Sequence, residues 1–414
     1  ESSNLRYLDA QPQDVISVGA NLQNNLPEAE EFELSVDFDG PTDWSSNIMQ
    51  SETVTVESGE SLSYQVELTP GSEVGIGEYT LVAKSTNNPD AKPLKYTINV
   101  ISGVTDVVIS NNAALNYEQN YLDGLSFAEN QGFYGTSTKT LKGFADNDAL
   151  NSLRNIYYNI GWTFPSLTDE TVAMLVPLLE SGKNLLIAGQ DIGWDQYAGQ
   201  GNGTNNTRAF YENYMNAQYI SDGAASNSRI TPVVADDFFG AAGESMIIDV
   251  YGGNNVYPEE INPLNGARTV INYNGGNKIG GIRFTNGVFK VVYLGFSIEQ
   301  LSDQDVANRL IDGAHDWFYN TSTSNDYVEQ SLDNMMYPNP ATNEFSIQLD
   351  MPSQEILSFN LYSLDGQMIM SNKVAVGEQN IKVNSSSLQS GFYITELIGE
   401  STNFRAKGKI SILK

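Results

Sequence analysis

The chain has 414 residues, too many for one ordinary core, so two to four domains are expected. Acidic residues outnumber basic ones 51 to 21, a formal charge of −30, and that field repels phosphate backbones and anionic lipid, excluding nucleic-acid and membrane-surface binding. There is no cysteine, which removes disulfides, thiolate metal sites and cysteine nucleophiles together, and no apolar run reaches the 18–20 residues of a membrane helix.

Residues 1–102 alternate apolar and polar side chains with period two. "FELSVDF" (32–38), "ETVTVESGESLSYQVELTP" (52–70), "GEYTLVAKS" (77–85) and "LKYTINV" (94–100) are separated by Gly, Pro and Asn. Short strands at this spacing predict an immunoglobulin-like β-sandwich with Trp44 in its core, read as a spacer or docking module. The opening "ESSNLRYLDA" has no initiator Met and no basic-then-apolar leader, so a processed chain or a fragment is expected.

Over 103–320 the pattern becomes strand–helix alternation. "TDVVIS" (105–110) and "KNLLIAG" (183–189) read as buried strands. "LTDETVAMLVPLLESG" (167–182) reads as a helix with Val172, Leu175, Val176 and Leu179 on one face and, because of Pro177, either a kink or an early start. "TRAFYENYMN" (207–216) is helical, "SMIIDVYGG" (245–253) and "ARTVINYN" (267–274) are strands, and a hairpin turns at Asn286-Gly287. A last helix over 302–319 takes Ser302 as its N-cap. The whole predicts an α/β domain of flavodoxin or amidotransferase type with a mostly parallel sheet. Residues 321–333 are polar and read as a linker. From 334 to 414 everything is β again, an antiparallel β-sandwich with a hairpin turn at Asp365-Gly366.

In an α/β domain, chemistry gathers at the carboxyl ends of strands. There the strand "LLIAG" runs into Gly189-Gln190-Asp191-Ile192-Gly193, the G-x-D-x-G spacing of a sharp strand-to-helix turn that exposes its middle side chain. Residues 103–320 resemble the class I glutamine amidotransferase-like fold on this elbow and on "YLGFSIEQ" (293–300). In that family the elbow carries Cys and the later strand supplies His and Glu. Here Asp191 stands at the Cys position, Ser297 at the His position, and Glu299 matches. The resemblance therefore implies a degenerate triad and a non-catalytic domain.

The chain's one histidine, His315, reads as a helix-terminal residue favoured by the macrodipole. Acidic pairs (Asp146 and Asp148, Asp191 and Asp195, Asp236 and Asp237, Glu259 and Glu260) suit Ca²⁺ at most weakly and read as solvated faces, so no cofactor is expected. The Gly- and Asn-rich run 195–208, with Arg208 its sole cation, reads as a surface loop and weakly as a binding loop.

In the last segment, Pro338 and Pro340 fix an extended approach to the sheet, and "KGKISILK" (407–414) is a locally basic strand able to pair with a partner's edge. The pieces "YPNPATNEFSI" (337–347), "FNLYSLDGQMI" (359–369), "LQSGFYITEL" (388–397) and "KGKISILK" resemble the type A C-terminal sorting domain of the Bacteroidota type IX secretion system. Residues carried by the resemblance are Tyr337, Pro338, Asn339, Pro340, Asp365, Gly366, Gly391, Tyr393, Lys407 and Lys409. It implies export across the outer membrane, with the translocon, an outer-membrane shuttle barrel and a sortase as partners. The expected function is a secreted or surface cargo whose remainder is a binding or accessory module. The alternative is the accessory C-terminal part of a secreted hydrolase whose catalytic domain lies upstream of residue 1.

Overall fold

A computed structural model describes residues 6–110, 117–126, 132–223, 227–320, 329–332, 335–349, 352–353, 356–364, 367–399 and 405–414. Most of the expected linker, and the Asp365-Gly366 turn, lie outside these. The chain divides into two compact units, Glu1–Arg283 with Val291–Tyr319, and Phe284–Lys290 with Asn320–Lys414.

Eight strands come first: β1 (Arg6–Ala10), β2 (Ile16–Gln23), β3 (Glu30–Asp39), β4 (Ser45–Ile48), β5 (Thr53–Val56), β6 (Ser61–Thr69), β7 (Gly75–Ser85) and β8 (Leu94–Ser102). They make two sheets, β1-β8-β7-β3-β5 and β2-β6-β4, because every second side chain is apolar and each sheet needs a cover for that face. Val18, Val66, Tyr79 and Ile98 fill the space between them. Trp44 is buried there as its sequence context predicts, and its indole N–H donates to the Glu73 carbonyl at 2.9 Å. The same unit continues into the α/β part: Tyr7 meets Phe144 edge-on at 5.0 Å, and the Asn151 N–H donates to Asp9 Oδ2 at 2.5 Å.

Next come β9 (Asp106–Ser110), α1 (Glu118–Leu125), β10 (Phe133–Thr136), α2 (Thr138–Ala145), β11 (Asn155–Gly161), α3 (Asp169–Glu180), β12 (Asn184–Gly189), α4 (Ile192–Tyr197) and α5 (Asn205–Asn213). Then follow β13 (Ala217–Ser221), β14 (Arg229–Pro232), β15 (Ser245–Met246), β16 (Glu260–Pro263), β17 (Arg268–Tyr273), β18 (Ile279–Thr285), β19 (Lys290–Leu294) and α6 (Gln304–Tyr319). The sheet order is β10-β9-β11-β12-β19-β18-β17-β14-β15, with β13 and β16 branching from β18. Strands β10, β9, β11, β12 and β19 run parallel, and every residue of β11 is buried, as befits a strand covered on both faces. The remainder is antiparallel in its β13–β16, β14–β15, β14–β17, β16–β18 and β17–β18 pairings, which corrects the expectation of a mostly parallel sheet. Among the described residues no helix separates β13 from β19, so these strands lack the long crossovers that parallel neighbours require.

Local chemistry sets the helix starts. Thr168 caps α3 by accepting from the Thr171 N–H, and the helix continues through Pro177 for three more residues. Thr204 closes a capping box on α5 with Thr207. For α6 the cap is Asp303, not Ser302: its Oδ1 accepts from the N–H groups of Asp305 (3.0 Å) and Val306 (3.3 Å). A carboxylate favours the positive helix end more than a hydroxyl does.

The second unit contains β20 (Glu329–Ser331), β21 (Met336–Tyr337), β22 (Glu344–Gln348), β23 (Leu357–Ser363), β24 (Met368–Val374), β25 (Asn380–Asn384), β26 (Gly391–Gly399) and β27 (Arg405–Ile412). Sheets β20-β27-β26-β23-β24 and β21-β22-β25 enclose Phe345, Ile347, Phe359, Leu361 and Ile410. Burying one such side chain stabilises by about 1.5–3 kcal/mol, so truncating Phe359 would open the centre of this small core. The protein is thus a β-rich chain of several sheets.

Candidate functional site

Strands β11, β12 and β19 end side by side, and their next residues knit together. The Gly161 carbonyl accepts from the Gln190 N–H at 3.0 Å and from Ser297 Oγ at 3.0 Å. The Gln190 N–H also lies 3.3 Å from Ser297 Oγ. The elbow and the 293–300 segment, paired from sequence alone, therefore do meet. Ser297 is fully buried and spends its hydroxyl on backbone.

The elbow differs from expectation in one respect. Its middle side chain is not exposed: Asp191 is 6% accessible. Asp191 itself takes the left-handed conformation, φ 61° and ψ 16°, which Asp tolerates better than most residues. The flanking glycines answer to close approach instead. A Cβ on Gly189 would stand 2.8 Å from the Gly161 carbonyl oxygen, and one on Gly193 would stand 2.7 Å from Glu259 Oε2.

Glu259 is the residue that sequence reasoning misplaced. It was grouped with Glu260 as a solvated pair, and it is fully buried. Its Oε2 accepts from the N–H of Gly193 at 2.7 Å and of Trp194 at 3.3 Å, and Oε1 accepts from the Tyr293 hydroxyl. Burial, partly offset by the Gly193 N–H and reinforced by the Asp191 charge, pushes its carboxyl well above the usual range. Glu260 pairs with Lys278 at 3.1 Å.

Asp191 Oδ2 accepts from the Trp162 indole N–H at 2.8 Å, while Oδ1 has no hydrogen-bond partner. Burial raises Asp191 to about 7, the Trp162 N–H working against it and the neighbouring Asp222 and Asp195 charges with it. Glu299 Oε1 accepts from the Tyr251 hydroxyl at 2.7 Å, the Asn159 side chain is within hydrogen-bonding reach of the same carboxyl, and Oε2 has no partner. Its carboxyl is raised too, by burial first. The Trp162 and Tyr251 rings pack 5.7 Å apart, so an unbroken chain of contacts runs from Asp191 to Glu299. Trp162 follows the last residue of β11 as Gln190 follows that of β12, and this parallel was the sequence signal that could have found it.

The other candidates resolve into structural roles. Asp195 is saturated: Oδ2 accepts from the Ser166 N–H and hydroxyl, both at 2.8 Å, and Oδ1 accepts from the Asn202 N–H at 3.0 Å and side chain at 2.7 Å. That pins the 195–208 loop, and Arg208 donates from Nε to the Gln196 carbonyl at 2.6 Å with its guanidinium 5.9 Å from the Tyr197 ring centroid. Asp236 pairs with Arg283 at 3.0 Å and accepts from the N–H groups of Phe238 and Phe239. Asp146 is engaged by Lys142, Asp148 is exposed at φ 52°, and Asp237 is exposed. Among the described residues, no three His, Cys, Asp or Glu side chains gather where a metal ion could be held.

His315 lies four residues before the end of α6 and is buried there. It is 2% exposed, its ring lies 4.5 Å from that of Tyr319, and Nε2 stands 3.9 Å from Asp106 Oδ1. Asp106 opens β9 in register with Asn155, the first residue of β11, whereas the elbow follows the last residue of β12. Five residues of strand put the imidazole's partner about 16 Å from the elbow edge.

In the second unit the sorting-motif residues converge on β27. Asn339 donates from Nδ2 to the Lys409 carbonyl at 3.0 Å and accepts at Oδ1 from the Ser411 N–H at 3.0 Å. The Ala341 N–H donates to the Ser411 carbonyl and the Leu413 N–H to the Ala341 carbonyl, both at 2.8 Å. Pro338 and Pro340 are exposed on either side of Asn339. Tyr337 is half exposed, with its hydroxyl accepting from Asn380 at 3.0 Å. Gly391 pairs with Ile412 and Tyr393 with Ile410, and the Tyr393 hydroxyl donates to the Gln389 carbonyl at 3.0 Å. Lys407 lies 3.9 Å from Glu396, and Lys409 sits 4.1 Å from the Phe392 ring centroid. Because β27 is paired by β26 on one side and by β20 on the other, it offers no open edge to a partner, contrary to expectation. Among the described residues the terminal strands of that sheet are β20 and β24.

Residues 335–412 match the family described as the secretion system C-terminal sorting domain. No curated protein sequence matches the chain. Among solved structures it is similar to PapD-like domain 7 of human CEP192, at 12% identity over 24% of this chain and 81% of that one, TM-score 0.21. It is also similar to a family 123 glycoside hydrolase from Clostridium perfringens, at 10% identity over 47% of this chain and 45% of that one, TM-score 0.21. A third is the secreted serine protease VesC from Vibrio cholerae, at 14% identity over 23% of this chain and 21% of that one, TM-score 0.20. These scores lie below the level at which a shared fold follows. Among the described residues no helix is long and apolar enough to cross a membrane. The sorting tail marks the chain as cargo exported by the type IX secretion system to the cell surface or the outside.

Proposed function

We propose that the exported body of this cargo, residues 6–319, works as a binding or accessory module on an amidotransferase-like domain that has lost acyl-transfer chemistry. The observation that carries the reading is the Glu259 carboxylate on the N–H groups of Gly193 and Trp194. Backbone donors at a helix start are what an acyl-transfer site turns toward a developing oxyanion. Here the Glu259 carboxyl already fills them, which leaves no donor for a developing oxyanion. Asp191 at the elbow and Ser297 beside it support the same reading, since the nearest imidazole lies at the far edge of the sheet. The second unit, in this proposal, is the part that the translocon and its shuttle barrel engage, and a sortase acts on it after export.

Two assays test this. Full-length chain incubated with glutamine and with p-nitrophenyl acyl esters should release neither ammonia nor nitrophenol faster than its Asp191→Asn variant; turnover that depends on Asp191 sinks the binding reading. Removing residues 335–414 in a host with a working type IX system should retain the protein inside the outer membrane, and its arrival outside at the normal level would refute the export role.

A further inference from the structure

Two buried oxygens at the carboxyl edge of β11, β12 and β19, Glu299 Oε2 and Asn159 Oδ1, have no hydrogen-bond partner, and a third, Asp191 Oδ1, meets no donor, the Asp222 side chain being within hydrogen-bonding reach of that carboxyl. Their side chains are at least nine-tenths buried. Each is an acceptor. A buried acceptor left unpaired costs about 1–3 kcal/mol, so a ligand that brings several donors to this edge is strongly favoured there. Each carboxylate is meanwhile oriented through its other oxygen, Asp191 by the Trp162 indole and Glu299 by the Tyr251 hydroxyl. Both orienting groups sit on aromatic rings.

Those rings are not closed over. Trp162 and Tyr251 are half-buried, with planes 38° apart, and Phe164, 6.1 Å from Trp162, is 42% exposed. The Trp194 ring lies 5.8 Å beyond Phe164. Flat apolar faces beside oriented acceptors suit a ligand with one C–H face and a rim of hydroxyl donors. A pyranose ring has that form. An anion is disfavoured by Asp191, Asp195, Asp222 and Glu299 together. A compact cation would want the carboxylates ionised, whereas burial keeps Asp191 partly protonated at neutrality. A half-protonated acid serves a hydroxyl well, as donor or acceptor.

From this convergence we propose that the edge binds a neutral sugar ring of a polysaccharide, with Trp162, Tyr251 and Phe164 against its C–H face and Asp191, Glu299 and Asn159 accepting its hydroxyl protons. The proposal rests on the binding reading above and names the ligand class of that site.

The experiment uses the full chain and four soluble probes, the linear hexaoses of β-1,4-glucose, β-1,4-xylose, β-1,4-mannose and N-acetylglucosamine, followed by tryptophan fluorescence and calorimetry. At least one hexaose should bind saturably. Phe164→Ala and Glu299→Gln should each weaken it tenfold or more; Phe164 is exposed enough that its truncation leaves the fold intact, which a matching circular dichroism spectrum would verify. Absence of saturable binding to all four hexaoses overturns the proposal, and so does binding that neither substitution changes. Tetramethylammonium is the competing probe: saturation by it alone overturns the sugar assignment and leaves the binding reading standing. Release of reducing ends from a bound hexaose does the reverse, since the ligand class would hold and the non-catalytic reading would fall.

Discussion

The carboxylate of Glu259 lies 2.7 Å from the amide nitrogen of Gly193, two residues past the elbow's Asp191 and 66 positions away in the chain. It takes the place that solvent or a substrate oxygen would otherwise hold at the start of α4. Substituting Ala for Glu259 strands two backbone N–H groups and the Tyr293 hydroxyl, so a loss of about 2–4 kcal/mol is expected. Gln, which keeps an acceptor and removes a buried acid, should cost less than half as much. Urea unfolding of both variants checks the order; equal losses would mean that the cavity, and not the unpaired donors, sets the cost.

Asp191 links stability to pH. Its carboxyl titrates at about 7 in the folded chain against an ordinary value of 3.8, so the folded state holds the proton more tightly. The stability it contributes is complete below about pH 4 and is lost as pH rises to 7, on the order of 1–4 kcal/mol. Asp191→Asn preserves the tolerance for φ 61° and the acceptor for Trp162, and it cannot ionise. Thermal unfolding between pH 4 and 8 should therefore be flatter in the variant than in the parent. Parallel profiles would show that Asp191 does not titrate in this window.

His315 makes no hydrogen bond through either ring nitrogen and packs at a 39° tilt against Tyr319. A phenyl ring fits the same slot without burying polar atoms. His315→Phe should leave the melting temperature unchanged or raise it by a few degrees. A fall of more than about 2 kcal/mol would reveal that the imidazole is held charged against Asp106 at 3.9 Å.

Asn339 reaches both sides of residue 410 with one amide, donating to Lys409 and accepting from Ser411. Asn339→Ala removes two hydrogen bonds and should cost the second unit about 1–3 kcal/mol. Asn339→Asp keeps the acceptor but not the donor and should fall between. If the motif matters through this link, exported protein in a fractionation assay will fall in the same order, parent above Asp above Ala.

Legibility in the sequence followed the distance over which each feature is built. Period-two strands, the helix within 167–182 and the Gly-x-Asp-x-Gly turn are written in neighbouring residues, and all three are where the sequence predicts them. Glu259 was unreadable because two adjacent acids in so acidic a chain look solvated, and only the fold brings one of them under α4. Likewise Tyr251 reaches Glu299 across 48 positions. The antiparallel half of the central sheet was missed because apolar runs such as "ARTVINYN" do not declare their direction. The Ser302 assignment failed by one residue, since Ser302 and Asp303 are both good caps and only geometry separates them.

The position of β27 has a further consequence. As a middle strand it is the last piece to be synthesised of everything in its sheet, yet β20, β26 and Asn339 all close upon it. A nascent or prematurely ended product without residues 405–412 has a gap through its sheet and nothing for Asn339 to grip. Such a product would display no folded export label, so the cell would dispatch only chains whose translation had passed that point.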